Sequence, residues 1–222
     1  MLGAVFFVTV IAVLTGHYLL VERPRRATGV STPFPRPLPI RELIDRQPSG
    51  VFLQPTFTWA HVRADGDVEL GVHPLLASLA ADRPTVELTT GSDRVEKGDR
   101  LMSLRIDGHA LAIRSPFAGR VLSSVTPGDA MADWDAARGQ YRDWVCLMRP
   151  DSLDAEVSDW FVGREAIDWT QTQYSRIRDY LLSRSMPAGE VALADGGELP
   201  VGALGQLSDE HLTEFETLFL TG

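Results

Sequence analysis

Between Thr56 and Pro150 the chain alternates apolar and polar residues in short runs, each closed by a turn signal. A period of two places alternate side chains on opposite faces of an extended strand, so this segment must fold as a β structure. The clearest unit is LRIDGHALAIRSPFAGRV, residues 104–121. Alternation runs up to Asp107-Gly108, a dipeptide suited to a two-residue hairpin turn with φ > 0, and resumes at Leu111 and Ile113 before Pro116-Phe117-Ala118-Gly119. The same logic predicts strands over 56–63 and 68–72 around a turn at 64–67. It predicts further strands over 85–89, 100–106, 119–125 and 143–150, with a turn through Gly91 and Asp93 and the stretch VEKGD at 95–99. Residues 73–81 break the pattern with helical spacing and Pro74 in the first turn. Short strands separated by turns imply a small barrel or sandwich of roughly one hundred residues.

Composition narrows the function. The chain has 222 residues, 44% of them hydrophobic and 23% charged, enough apolar material for a true core. Its net charge of −9 argues against a nucleic-acid-binding surface. A single cysteine, Cys146, excludes an internal disulfide and a cysteine-rich metal site, and its apolar setting (Trp144 to Met148) reads as a packing thiol. Of 21 basic side chains, Lys97 is the one lysine.

The first apolar run is of another kind. Residues 2–21 contain no charged side chain apart from the ionisable His17. At about 1.5 Å per residue such a run covers the roughly 30 Å hydrocarbon core. It lacks the basic n-region and small-residue cleavage site of a signal peptide, so an uncleaved anchor is expected over 1–22. Arg23, Arg25 and Arg26 follow at once, which sets the N-terminus outside a bacterial-type inner membrane and the soluble domain in the cytoplasm. His17, beside Tyr18, is read as an interfacial histidine, with contact to a partner helix, a pigment or a haem as the functional alternative. Residues 23–50 carry Pro33, Pro35, Pro37, Pro39 and Pro48, the composition of a stiff polyproline tether, with one short helical turn expected at 40–44.

Past the strands the period changes. Residues 158–183 read as a helix whose aromatic stripe, flanked by arginine, has the composition of an interface; Trp160, Phe161, Trp169, Tyr174, Arg176 and Tyr180 are the candidate anchors. A Gly/Pro-rich loop over 186–204 leads to a last helix capped by Ser208. This 158–222 extension is expected to form a separate docking element.

The ordered set Trp59, Gly71, Val86 with Leu88, Gly98, Pro116, Gly119, Trp144 and Pro150 resembles the H protein of the glycine cleavage system over about residues 52–160. The resemblance implies a barrel-sandwich hybrid fold and, at the hairpin tip, a lipoylated lysine eight residues before the proline of A-P-x-x-G. Counting back from Pro116 reaches Gly108, and Lys97 lies nineteen residues upstream in the preceding turn. The family's E-S-V stretch is replaced by Leu104-Arg105-Ile106-Asp107. An amide-linked arm needs a primary amine, which Arg105 and His109 do not offer. The lipoyl position is thus occupied by Gly108, and no cofactor is expected.

His61, His73 and His109 match no metal-ligand spacing and read as surface or turn histidines, and no metal is expected. The sequence also lacks a nucleophile elbow, a P-loop and a dinucleotide-binding glycine motif, and no catalytic residue is assigned.

The sequence therefore describes an α+β chain: a transmembrane anchor (1–22), a Pro-rich tether (23–50), an H-protein-like β domain (51–157) and a helical extension (158–222). The expected function is that of a non-catalytic, membrane-anchored accessory subunit of a respiratory or photosynthetic complex. Its expected partners are other membrane-protein subunits, met through the span and the C-terminal helices, and membrane lipid. The alternatives are a lipoyl-type carrier or partner of one-carbon metabolism, and a membrane-fusion-type adaptor.

Overall fold

The computed structural model describes Ile40, Leu43 and residues 50–89, 91–106, 108–125, 144–184 and 198–221. The anchor expected over 2–21, with His17, lies outside the described residues, as does most of the tether. Among the described residues no helix is long and apolar enough to cross a membrane. Of the helical turn expected at 40–44, Ile40 and Leu43 are helical, and Leu43 is buried in the core.

Strands β1 (Val51–Gln54), β2 (Thr58–Val62) and β3 (Val68–Val72) form an antiparallel meander, followed by helix α1 (Pro74–Ala80). Then come β4 (Thr85–Leu88), β5 (Arg94–Val95), β6 (Arg100–Ile106), β7 (His109–Arg114), β8 (Gly119–Ser124) and β9 (Cys146–Pro150). The strands assemble into a six-stranded sheet of order β1-β2-β3-β9-β8-β5 and a three-stranded sheet of order β4-β6-β7. The chain ends in α2 (Leu153–Glu156), a 3₁₀ turn over Val157–Asp159, α3 (Arg164–Arg184), a second 3₁₀ turn over Ala203–Gln206 and α4 (Asp209–Phe219). The class is mixed, an antiparallel sheet domain with C-terminal helices.

The local turn signals produce the expected hairpins. Val62 pairs with Val68, and Arg63 N donates to Asp67 O at 2.8 Å, which leaves a three-residue loop with Gly66 at φ 85. A glycine in the left-handed region is the usual closure of a loop of that length. At the β6–β7 hairpin Ile106 stands opposite His109, so the connecting loop is two residues long.

Two departures from the sequence reading have long-range causes. First, β1 hairpins onto β2 through a turn in which Phe57 takes φ 57. That conformation costs a bulky residue about 1–2 kcal/mol. Burying a phenylalanine side chain offsets this by roughly 2–3 kcal/mol, and Phe57 is 1% exposed, with its ring 5.1 Å from that of Trp169. Second, the helix expected from residue 158 begins only at Arg164. Trp160 is extended, and Phe161 bridges β1: Leu53 N donates to Phe161 O at 2.9 Å and Phe161 N to Leu53 O at 2.8 Å. The exposed edge of β1 takes these hydrogen bonds in place of a further turn of helix.

The extension is not a separate element. Ile177, Leu181, Leu204 and Phe215 belong to the same core cluster as Leu70, Leu76, Leu104 and Phe117. Helix α3 buries Ala166, Thr170, Gln173, Tyr174, Ile177, Tyr180 and Leu181, a stripe of helical period turned inward. Helix α4 covers the outer edge of β7, where Glu216 Oε2 accepts the free Ala112 N–H at 2.9 Å. All described residues fall within the one compact unit Pro35–Gly222.

A second, smaller cluster lies on the other face of β1 and β2, formed by Val51, Leu53, Trp59 and Ala166 with Trp144, Phe161 and Trp169 packed against it. Gly71 faces Trp59 across the β2–β3 pair, and a Cβ there would lie 2.4 Å from the indole. The ring is 2% exposed and backed by this cluster, so it has little room to retreat. Gly71→Ala is therefore expected to destabilise the protein by about 1–3 kcal/mol, the cost of overpacking a filled site. Chemical denaturation monitored by tryptophan fluorescence checks this, and an unchanged midpoint contradicts it.

Candidate functional site

The hairpin tip is where the sequence argument places any carrier chemistry. Gly108 is exposed, takes φ 95, and an added Cβ would meet nothing within 4 Å. The position is open to solvent, yet its backbone is in a conformation that residues with a side chain rarely adopt. A side chain at this position would thus meet no steric obstacle but would strain the backbone.

The flanks of the tip are tied down. On β6, Arg105 grips Glu87 of β4 with Nε at 3.1 Å and Nη2 at 2.9 Å, and this two-point hydrogen bond holds the Glu87 carboxyl below its usual range. On β7, His109 is partly covered, with Nδ1 3.6 Å from Asp209 Oδ1 at the start of α4. Ser208 caps that helix by accepting from His211 N at 3.3 Å.

Lys97 occupies the turn before β6, closed by Asp99 N donating to Glu96 O at 3.1 Å with Gly98 at φ 88. Its Nζ donates to Glu156 Oε2 at 2.8 Å, with Asp159 Oδ2 at 3.9 Å. The hydrogen bond to Glu156 raises the amine's pKa. Acylation requires the neutral amine, so the turn disfavours the reactive form of the chain's one lysine.

The histidines divide. His61 is half-exposed, Nδ1 3.2 Å from Glu69 Oε2. His109 flanks the tip. His73 is neither a surface nor an ordinary turn residue, which corrects the reading of all three as such: it is 0% exposed and joins three elements. Its Nδ1 accepts the Leu75 N–H at 3.0 Å and so caps α1. That assignment leaves the proton on Nε2, which faces Thr170 Oγ1 of α3 at 3.4 Å, and Thr170 in turn donates to Ala166 O at 2.8 Å. The ring lies edge-on to Phe57 and Trp169. The sequence hinted at the cap through His73-Pro74, but not at the partner 97 residues further on. Among the described residues no group of three His, Cys, Asp or Glu is placed to hold a metal ion. Cys146 is fully buried and its thiol is pushed up to about 12 by burial, as suits a packing thiol.

The candidate interface anchors are mostly spent inside the chain. Trp160 is buried between Phe52 and Phe117, and Phe161 stacks on Trp169 at 5.4 Å. Tyr174 Oη accepts from Leu199 N at 2.9 Å. Tyr180 Oη donates to His211 O at 2.8 Å. Only Arg176 is exposed, its guanidinium 5.2 Å from the centre of the Phe219 ring. An amphipathic stripe states that a face must be covered and is silent on whether the cover is another chain or the protein's own sheet.

Comparison with known proteins finds part of the chain similar to glycine cleavage system H proteins. That part is 28% identical over 108 residues to the glycine cleavage system H protein of Methylococcus capsulatus, a match covering 48% of this chain and 83% of that protein. Among solved structures, a glycine cleavage system H protein from Mycobacterium marinum aligns with a TM-score of 0.44 and 15% identity, covering 56% of this chain and 98% of that one. No protein-family model matches the chain.

His73 gives the structure an acid sensitivity of known sign. Burial lowers its pKa from 6.5 to about 3. Between those values the unfolded chain binds a proton that the folded chain refuses, so this contribution is complete above about pH 6.5 and lost as the pH falls toward 3. His73→Asn keeps a capping acceptor without a titrating group. Its stability deficit against the native protein is expected to narrow by about 3 kcal/mol between pH 7 and pH 4, at ~1.36 kcal/mol per pH unit. Urea unfolding of both proteins across that range measures this, and a constant deficit contradicts it.

Proposed function

We propose that this chain is a non-catalytic, membrane-tethered accessory subunit: an H-protein-like barrel-sandwich shell that carries no lipoyl arm and works by binding other subunits of a membrane complex. The observation that carries the reading is the separation of amine from tip. Gly108 stands at the arm position, while Lys97 is engaged by Glu156 in a different turn. Support for the membrane part comes from the sequence, namely the uncharged run over 2–21, the arginines after it and the proline tether. The carrier alternative lacks an acceptor at the tip. The membrane-fusion alternative calls for a long helical insertion between the two strands of the motif, and β6 and β7 are joined by two residues.

Solubilising native membranes in a mild detergent and weighing the intact chain tests both halves of the proposal. The expected result is an unmodified mass in a fraction where the chain co-migrates stoichiometrically with other membrane subunits. A lipoyl mass shift that Lys97→Arg abolishes restores the carrier reading. Recovery of the chain alone, in the soluble fraction, removes the scaffold reading.

A further inference from the structure

At the far end of the six-stranded sheet three arginines stand in one row. Arg94 of β5 is the direct cross-strand partner of Arg120 of β8, and Arg120 is the direct partner of Arg149 of β9. Directly opposed residues share a sheet face, and like charges so placed destabilise the pairing. All three side chains are exposed. The outer two are compensated within the chain: Asp67 takes Arg149 at 2.7 and 3.0 Å, and Asp151 takes Arg94 through both of its oxygens. Arg120, between them, has no carboxylate partner among the described residues. In a chain of net charge −9, the Arg120 guanidinium thus stands between two others with no ion pair of its own among the described residues.

We propose that Arg120 is a docking point for an acidic side chain of a partner protein, on a segment that also offers an apolar residue to the exposed Leu122 on the same strand. The chemistry favours a single carboxylate. A guanidinium presents a planar fork matched to one carboxylate, and a bound anion would relieve the repulsion along the whole row. Asp67 and Asp151, fixed on either side, limit the seat to one anion and would repel the dense phosphates of an anionic bilayer. Leu122, two residues further along the same strand, is 39% exposed, a large apolar side chain left in water. The inference rests on the reading that this domain works by binding, and it adds the surface and the partner's chemistry.

The test uses the full chain in neutral detergent with an eight-residue glutamate–leucine peptide as the probe, Arg120→Thr as the variant and Arg83→Thr as the control of equal charge change at another exposed arginine. The peptide's affinity is expected to fall about tenfold in Arg120→Thr, the loss of a charge-assisted pair, and less than twofold in the control. Without peptide, Arg120→Thr is expected to melt about 2 °C higher than the native chain, because the repulsion is gone. Arg120→Gln repeats both measurements should the threonine variant fold poorly. Equal losses in variant and control, no binding at all, or a lower melting temperature in both Arg120 variants overturns the proposal. So does Arg120-dependent binding to phosphatidylserine vesicles in place of the peptide, which would make this a lipid face. None of these outcomes bears on lipoylation, so the docking surface and the armless-shell reading can fail separately.

Discussion

The seam where α3 crosses the first hairpin organises the rest of the molecule. His73 caps α1 with one ring nitrogen and faces Thr170 with the other, while Phe57, Trp169 and Phe161 close around the contact. Each participant is there at some local cost. Phe57 holds a left-handed backbone, His73 is buried as a neutral imidazole, and residues 160–163 give up helix for a bridge to β1. These costs persist because the seam covers one face of the β1–β2 hairpin, at Leu53 and Trp59, while Ala60 packs into the main core. A two-stranded ribbon alone has too little core to stand in water. Covering it with α3 turns a marginal edge into the interior of one domain.

That arrangement changes what the C-terminal quarter is for. Had α3 and α4 been a loosely attached docking module, their aromatic residues would be free for partners. Instead the aromatic rings fill the protein's own interior, and the two tyrosine hydroxyls bond the main chain at Leu199 and His211. Burial pushes the Tyr180 pKa up to about 12, so this link keeps its proton across the physiological range. Helix α4 seals the β7 edge that would otherwise offer unpaired backbone groups beside the tip.

Much of this was legible in the sequence where the signal is local. Asp107-Gly108, Gly66 and His73-Pro74 each specify a turn or a helix start through their own backbone preferences, and β2, β3, β6, β7 and α1 fall close to where those signals set them. That the single lysine is Lys97, and that the hairpin tip carries Gly108, was legible for the same reason, since it is a matter of which residue stands at one position. The features that were not legible depend on partners distant in sequence. Phe57 carries no mark of positive φ, and Phe161 sits in a stretch of helical composition that is held extended by Leu53. The aromatic stripe of α3 looked like an interface because amphipathicity cannot name its partner. His73 looked like a turn residue because its second contact arrives from α3.

The proposed binding role requires that sheets and helices form one cooperative body, as their shared core implies. Native-state amide hydrogen exchange on the full chain tests this most directly. The Ala112 amide, held by Glu216, and the Leu199 amide, held by Tyr174, are expected to open only with the same free energy as core strand amides such as Leu104. Exchange of the α3 and α4 amides at a much lower free energy than those of the sheets, with Ala112 and Leu199 following the helices, would contradict it.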